Sequence, residues 1–115
     1  MILNMKKDQN QIDHYKIMEK KIINTKKSPA PIGPYNQAVF KGNTLFISGQ
    51  IALDAESMKL NNRSINDETH QVMQNLKNIL EEANMNFNDV VKSSIFLSDM
   101  SLFKEVNKIY GSYLT

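Results

Sequence analysis

The sequence predicts one domain that combines a β-sheet with two helices, in the order β-β-β-α-β-α. Three observations lead to this prediction. Two alternating segments flank a Gly-Asn pair, residues 66–83 have apolar residues at helical spacing, and a strand-then-helix pattern follows from residue 90. A chain of 115 residues allows one hydrophobic core, because a domain of this size buries roughly two thirds of its unfolded surface.

A basic, polar extension at residues 1–19 precedes the predicted domain, which we place at residues 20–115. Residues 1–27 contain seven lysines and three acidic residues, a net charge of +4, whereas the whole chain has +2. Aromatic residues are not interleaved with these lysines, so the positive charge indicates a solvated segment rather than a nucleic-acid surface. We expect residues 1–19 to be disordered or helical, and Met5 and Met18 are alternative translation starts.

The first predicted structural features are a short strand, a proline-rich loop and a hairpin. In the segment 28–34, SPAPIGP, each proline fixes its own φ and keeps the residue before it extended, which predicts a stiff loop. In residues 38–41 and 44–47 the side chains alternate between two faces, as in strands. The two segments flank Gly42 and Asn43, a pair that tolerates the positive φ of a tight hairpin. Both faces of this hairpin contain apolar residues, which predicts a sheet covered on each side.

The first helix is predicted over residues 66–83, with Asn66 as its N-cap and Asn84 as its stop. Its apolar positions follow helical spacing and are Val72, Leu76, Ile79, Leu80 and Ala83. A strand is predicted over residues 90–97. The second helix is expected from Ser101, with an apolar face of Phe103, Val106, Tyr110, Tyr113 and Leu114.

Composition and motifs exclude several kinds of site. There is no cysteine, so disulfides and thiol nucleophiles are excluded, and His14 and His70 share no motif, so we predict no metal site. Ser48 stands in ISGQI, which lacks the second glycine of a nucleophile elbow. Gly49, at a strand end, and Tyr35, in the proline-rich loop, suit a packing role and a ligand role equally well. The absence of a long apolar run or secretory signal predicts a cytoplasmic protein without membrane contact.

Four motifs follow one another in the chain: PIGPYNQAV, GNTLFISGQIALD, VMQNLKNILEEANMNFNDVVKSSIFLSDM and FKEVNKIY. In composition, order and spacing they resemble the RidA/YjgF family of reactive-intermediate (2-iminobutanoate/2-iminopropanoate) deaminases, over residues 20–114. The resemblance implies an α+β, chorismate-mutase-like fold in which a mixed sheet carries two helices on one face. It also implies a homotrimer with clefts between the subunits.

The resemblance implies a chemistry as well. Family members hydrolyse enamine or imine acids, such as 2-aminoacrylate and 2-iminobutanoate, to 2-oxo acids and ammonia without metal or cofactor. Tyr35 matches the family's cleft tyrosine, and we predict it to be catalytic. Ser48, Gly49 and Gln50 match the family's Ser-Gly-Gln turn and Asn107 its asparagine, so these four are predicted to bind substrate.

Two family residues have no counterpart in this sequence. The family's carboxylate-binding arginine and water-positioning glutamate belong to two strands after the second helix, and the single arginine here, Arg63, stands in a polar loop instead. We therefore expect a C-terminally truncated member with impaired deaminase activity. Two alternatives remain open: a noncatalytic trimer that binds small acids or regulates, and, with less support, an RNA-cleaving relative.

Overall fold

A computed structural model of the chain describes the backbone of residues 2–6 and all atoms of residues 20–114. The described residues form five strands and two α-helices. The strands are β1 (Ile2–Lys6), β2 (Lys20–Ile23), β3 (Ala38–Lys41), β4 (Thr44–Ile47) and β5 (Val90–Ser94). The helices are α1 (Ile65–Glu82) and α2 (Phe103–Leu114).

All five strands belong to one sheet in the order β2-β3-β4-β1-β5. Each neighbouring pair is antiparallel, so β4 and β5 run in the same direction on either side of β1. The α1 helix lies between β4 and β5 along the chain, as expected for the connection between two strands of like direction. The fold is therefore α+β, with both helices packed together against one face of the sheet.

The two faces of the sheet differ in burial. Ile23, Ala38 and Ile47 form one cross-strand row, and all three are buried in the core with Leu76 and Leu80 of α1. The adjacent row on the opposite face is Ile22, Val39 and Phe46, in which Ile22 is 52% and Phe46 48% exposed. Both helices pack on the first face, so within the described residues the second face of the sheet is uncovered, and its cover stays a prediction.

The hairpin between β3 and β4 forms as predicted. Gly42 has a φ of 63°, a left-handed value that glycine adopts without steric cost, and Asn43 does not share it. A glycine at the first central position of a two-residue connection matches the twist of antiparallel strands. The turn thereby sets the register in which Ala38 faces Ile47.

Helix α1 starts and ends with hydrogen-bonded caps. Ser64 is the N-cap, and its Oγ accepts from the Asp67 N–H at 3.1 Å, so the prediction of Asn66 as cap was wrong by two residues. At the other end Asn84 adopts a φ of 57°, and the Asn84 and Met85 N–H groups donate to Glu81 O and Leu80 O at 2.9 and 2.8 Å. These two bonds form a Schellman motif, which confirms the predicted stop at Asn84.

The C-terminal elements differ in detail from the prediction. Strand β5 ends at Ser94, three residues before the predicted end, and α2 begins at Phe103 after a 3₁₀ turn over Met100–Leu102. Phe103, predicted on the apolar face of this helix, is 51% exposed. Ile109, absent from the predicted face, is buried beside Val106 because residues three apart share a helix face.

The N-terminal extension contains a strand. Residues 1–19 were expected to be disordered or helical, yet Ile2–Lys6 form β1, which pairs with β4 and β5. The prediction failed there because both partners are remote in sequence and no local pattern indicates them. The first residue and residues 7–19, with His14 and Met18, lie outside the described residues. Within the described ranges, neither helix combines the length and hydrophobicity needed to cross a bilayer.

Replacing the cap serine tests this assignment. Ser64→Ala should lower the free energy of unfolding by about 1 kcal/mol, the usual cost of losing an N-cap hydroxyl. Asn66→Ala is the matched control, since Asn66 is exposed and lies within the first turn. Urea unfolding of both variants decides between the two residues: a larger loss in Asn66→Ala than in Ser64→Ala contradicts the observed cap.

Candidate active site

The proline-rich loop is held by one buried side chain, that of Gln37. Its Oε1 accepts from the Thr25 N–H at 2.6 Å. Its Nε2 donates to the carbonyl oxygens of Thr25, Ser28 and Pro29 at 3.0, 3.1 and 2.8 Å. Gln37 is only 2% exposed, so these bonds satisfy an amide that would otherwise be buried without partners. Gln37 thus fixes the loop through the loop's main chain.

Helix α1 fixes both loops near the site. Ser28, at the start of the proline-rich loop, donates from its Oγ to the Asn75 carbonyl at 2.6 Å. The buried Asn75 side chain donates from Nδ2 to the carbonyl oxygens of Ile51 and Leu53 at 3.1 and 2.9 Å. Asn75 of α1 therefore positions both the proline-rich loop before the hairpin and the loop at Ile51 and Leu53 after it.

Tyr35 emerges from the proline-rich loop with its side chain half exposed. Its N–H donates to Gly33 O at 2.8 Å, and its hydroxyl oxygen lies at 3.5 Å from the Ile32 N–H. A Cβ at position 33 would lie 3.2 Å from the Tyr35 ring, which is closer than most real Cβ contacts. The ring thus rests against a short turn, where a side chain at position 33 would require it to shift by a few tenths of an ångström, and it remains accessible to a ligand.

The Ser-Gly-Gln turn follows β4 directly. The Ser48 N–H donates to Gln37 O at 2.9 Å, and the Ser48 Oγ donates to Asn36 O at 2.6 Å. Because this hydroxyl hydrogen is already engaged, Ser48 can only accept a further bond from a ligand. The Gln50 amide folds back, with Nε2 at 3.3 Å from Ser48 O and 3.4 Å from Gly49 O.

Three of the predicted site residues meet in one depression. It is an open hollow of about 470 Å³ lined by Tyr35, Val39, Phe46, Ile47, Ser48 and Gly49. The hollow combines the phenol and hydroxyl of two polar residues with an apolar wall supplied by the outer face of the sheet. Concave sites of this kind, mostly apolar with few polar groups, are typical of small-molecule binding.

Gln50 lines a second depression, which shares Tyr35 and Gly49 with the larger hollow. A smaller depression of about 50 Å³ is lined in part by Tyr35, Gly49 and Gln50, with Pro31 and Ile32 from the proline-rich loop. Tyr35 and Gly49 thus belong to both hollows. Four of the five predicted site residues therefore lie within one continuous region of the protomer.

The remaining candidates lie elsewhere on the chain. Asn107 is exposed on α2 and lines neither hollow. Arg63 is exposed in the loop before α1 and also lines neither. His70 is exposed on α1 and bonds through Nδ1 to the Tyr113 hydroxyl at 2.7 Å. These three residues do not join Tyr35 within a single protomer.

The carboxyls with shifted pKa values are turn-forming groups. Backbone and side-chain hydrogen bonds from Ser57 hold the pKa of Asp54 below its usual value, and the same contacts from Ser101 do so for Asp99. Neither carboxyl lines the two hollows around Tyr35. Across residues 2–6 and 20–114, no cluster of three His, Asp or Glu side chains could hold a metal ion.

Sequence reasoning missed the two amides that build this site. Gln37 lies within the motif PIGPYNQAV, but its partners Thr25, Ser28 and Pro29 precede it by up to twelve residues. Asn75 stands in the buried stripe of α1 between apolar neighbours, and a polar residue at such a position is a detectable signal of a buried hydrogen-bond network.

The sequence profile of the Endoribonuclease L-PSP family matches residues 25–115. The mouse 2-iminobutanoate/2-iminopropanoate deaminase is 46% identical over 94 residues, which cover 82% of this chain and 70% of the mouse protein. The chain belongs to the RidA/YjgF family.

Solved structures of other proteins share the fold. RidA from the Antarctic bacterium Psychrobacter sp. has a TM-score of 0.78 and 41% identity, covering 83% of this chain and 76% of its own. E. coli TdcF, solved with bound serine, has a TM-score of 0.77 and 31% identity, covering 81% of this chain and 72% of its own. These likenesses confirm the predicted RidA-type α+β fold.

The loop anchor of this RidA-family chain can be tested at Gln37. Gln37→Glu keeps the shape but turns a carboxylate toward three carbonyl oxygens, so it should cost about 3 kcal/mol or more of unfolding free energy at pH 7. Burial raises the pKa of such a carboxyl, so the deficit should shrink as pH falls toward 4 and the group becomes neutral. Gln74→Glu makes the same chemical change at an exposed position of α1. Equal losses in the two variants, measured by urea unfolding, would contradict the anchoring role.

Proposed function

We propose that this protein hydrolyses reactive enamine and imine acids, such as 2-aminoacrylate and 2-iminobutanoate, to 2-oxo acids and ammonia. The observation that carries the proposal is the convergence of Tyr35, Ser48 and Gly49 on one hollow. The 46% identity to a mouse protein named as a deaminase of this class supports the same chemistry.

The proposed reaction is the addition of water to a carbon–nitrogen double bond. An enamine acid first gains a proton at carbon and becomes an imine, whose protonated C=N carbon is electrophilic. Water then forms a C–O bond at that carbon and yields a carbinolamine. Transfer of a proton from oxygen to nitrogen, followed by cleavage of the C–N bond, releases ammonia and the 2-oxo acid. The protein's task is to hold the substrate and assist proton transfer.

In this proposal the Tyr35 hydroxyl orients the attacking water and exchanges a proton with the reacting centre. The Ser48 oxygen accepts a hydrogen bond from the substrate nitrogen, which suits a hydroxyl whose own hydrogen is bound to Asn36 O. Gly49 leaves its main chain open to the ligand, and Gln50 contacts it from the smaller hollow. Phe46 and Val39 limit access of bulk water from the sheet side.

We propose that turnover by this chain is slow. Among the described residues that line the larger hollow, none has a positively charged side chain, and Arg63 is outside the hollow. A substrate carboxylate would therefore lack a charge-assisted partner, which typically contributes roughly 2–5 kcal/mol at a desolvated site. The same absence of cations gives RNA cleavage no support at this hollow.

We also propose that the protein assembles as a homotrimer with the sites at clefts between subunits. The cross-strand row Ile22, Val39 and Phe46 supports this, because half-exposed apolar residues on a sheet face indicate an interaction surface. Phe46 belongs both to this row and to the hollow. In such an assembly Asn107 would reach a site from a neighbouring subunit, since it lines no hollow of its own. We place the assembly in the cytoplasm.

A noncatalytic acid-binding trimer is the second candidate function. The lining of the hollow favours the absence of catalysis, because the described lining residues include no Asp, Glu, His or Lys that could transfer protons. Small carboxylic acids should raise the melting temperature under both functions. Only a deaminase would produce a 2-oxo acid, so turnover separates the two.

The deaminase proposal is tested by generating 2-aminoacrylate in situ and measuring pyruvate release. The protein should accelerate release over buffer, and Tyr35→Phe should reduce kcat/KM by roughly tenfold or more, the usual effect of removing one productive hydrogen bond. Tyr113→Phe is the matched control, since Tyr113 is on α2 beside His70. A rate equal to buffer refutes the deaminase function for this chain, and equal losses in both variants refute the role of Tyr35.

The trimer is tested by light scattering on a size-exclusion column. The native chain should elute with three times its mass of 13.2 kDa, and Phe46→Lys should shift it to the single-chain mass. Met100→Lys places the same charge at another exposed apolar residue, 71% exposed in the 3₁₀ turn, and should leave the trimer intact. A native chain that elutes at 13.2 kDa overturns the proposed assembly.

A further inference from the structure

The central position of β1 in the sheet requires an explanation. The strand lies between β4 and β5 and is antiparallel to both, so it is the only described element that joins β5 to the rest of the sheet. The family profile begins at residue 25, which leaves Ile2–Lys6 outside the matched region. A sheet interior is thus completed by a segment that lies outside the residues matched by the family profile.

The register of β1 matches the alternation of its neighbour. In the register of β1 and β4, Leu3 pairs with Ile47 and Met5 pairs with Leu45, the two buried residues of β4. Asn4 pairs with the half-exposed Phe46. On the other side β1 pairs with β5 from Ile2–Ser94 to Met5–Val90, with a shift of register between Asn4 and Met5. The apolar-polar alternation of the segment therefore coincides with the buried-exposed alternation of β4.

The connection between β1 and β2 has far more chain than it needs. The connection starts after Lys6 of β1 and ends at Lys20 of β2. Lys6 pairs with Thr44, Thr44 pairs with Lys41, and Lys41 pairs with Lys20, so Lys6 and Lys20 lie at the same end of the sheet. Three strand spacings separate them, about 14 Å. The thirteen residues 7–19 can reach up to about 45 Å. The connection therefore tethers β1 without forcing it into its position.

We propose that the gap between β4 and β5 is a strand-binding site and that Ile2–Lys6 is its tethered, exchangeable ligand. The site takes an extended segment, antiparallel to both neighbours, with apolar residues level with Leu45 and Ile47. Main-chain hydrogen bonds on both sides supply the affinity, and the alternation of apolar residues sets the register. A tether of thirteen residues gives the segment an effective concentration in the millimolar range, so modest intrinsic affinity fills the site. This inference does not depend on deaminase activity.

Occupancy can be tested by disulfide formation, since the chain contains no cysteine of its own. Asn4→Cys with Phe46→Cys joins a directly paired position and should form an intramolecular disulfide at equilibrium with glutathione. Asn4→Cys with Val39→Cys is the control, because Val39 lies one strand further in the same row, about 10 Å away. Mass spectrometry of peptides under non-reducing conditions identifies the bonds.

The disulfide outcomes decide the assignment of the occupant. A 4–46 disulfide within one chain, at least tenfold more abundant than the 4–39 disulfide, supports the proposal. Equal yields in the two variants, or no 4–46 disulfide, overturn it. A 4–46 disulfide between two chains overturns the assignment of the strand to its own chain.

Exchange is tested by hydrogen–deuterium exchange of the full chain. Asn4→Pro removes a main-chain donor from the middle of β1, so amides of β4 and β5 should exchange at least tenfold faster than in the native chain. The free peptide MILNMKK should restore their protection, and the same peptide with proline in place of asparagine should not. Unchanged protection in Asn4→Pro, or protection that the native peptide does not restore, overturns the exchangeable strand. If this variant fails to fold, the disulfide experiment still decides occupancy.

Discussion

The site depends on the hydrogen bonds of buried side-chain amides, and Gln37 forms the bonds that join its two loops. Its side chain binds the main chain at Thr25, Ser28 and Pro29, and its own carbonyl accepts from the Ser48 N–H. The proline-rich loop and the turn after β4 are therefore joined through one residue. A buried polar network of this kind is stable only when every member has a partner, and no buried side-chain polar atom among the described residues lacks one.

This constraint explains how an exposed tyrosine can be held in place. Tyr35 is half exposed, and its ring lies beside the turn at Gly33. Its position is set by the loop, and the loop is set by Gln37 and by the Ser28 bond to α1. Stability and site geometry thus share the same hydrogen bonds, whereas the apolar core beneath them provides the rigid sheet and helix to which the loops are attached.

Much of the fold could be predicted from sequence because its signals are local. The hairpin follows from Gly42, and the end of α1 follows from Asn84, each of which takes a left-handed φ. The start of α1 was misplaced because Ser64 and Asn66 are both good caps, and only the chain's path selects one. The strand at Ile2–Lys6 was missed because its partners, Thr44–Ile47 and Val90–Ser94, are distant along the chain.

The same distinction applies to the site. Tyr35, Ser48, Gly49 and Gln50 were predicted from motif resemblance, and they lie in one region of the protomer. Gln37 and Asn75, which hold that region together, were missed because their importance arises from partners far away in sequence. Asn107 lies apart from this region because α2 packs on the helical side of the sheet.

The main-chain anchoring of the proline-rich loop also affects how this site can evolve. Because Gln37 binds carbonyl oxygens, which every residue type possesses, the side chains of Ala30 and Ile32 are not needed to hold the loop in place. Ala30 and Ile32 are exposed, and both line the smaller hollow beside Tyr35. Substitutions at these two positions can therefore diversify ligand preference while the scaffold remains unchanged.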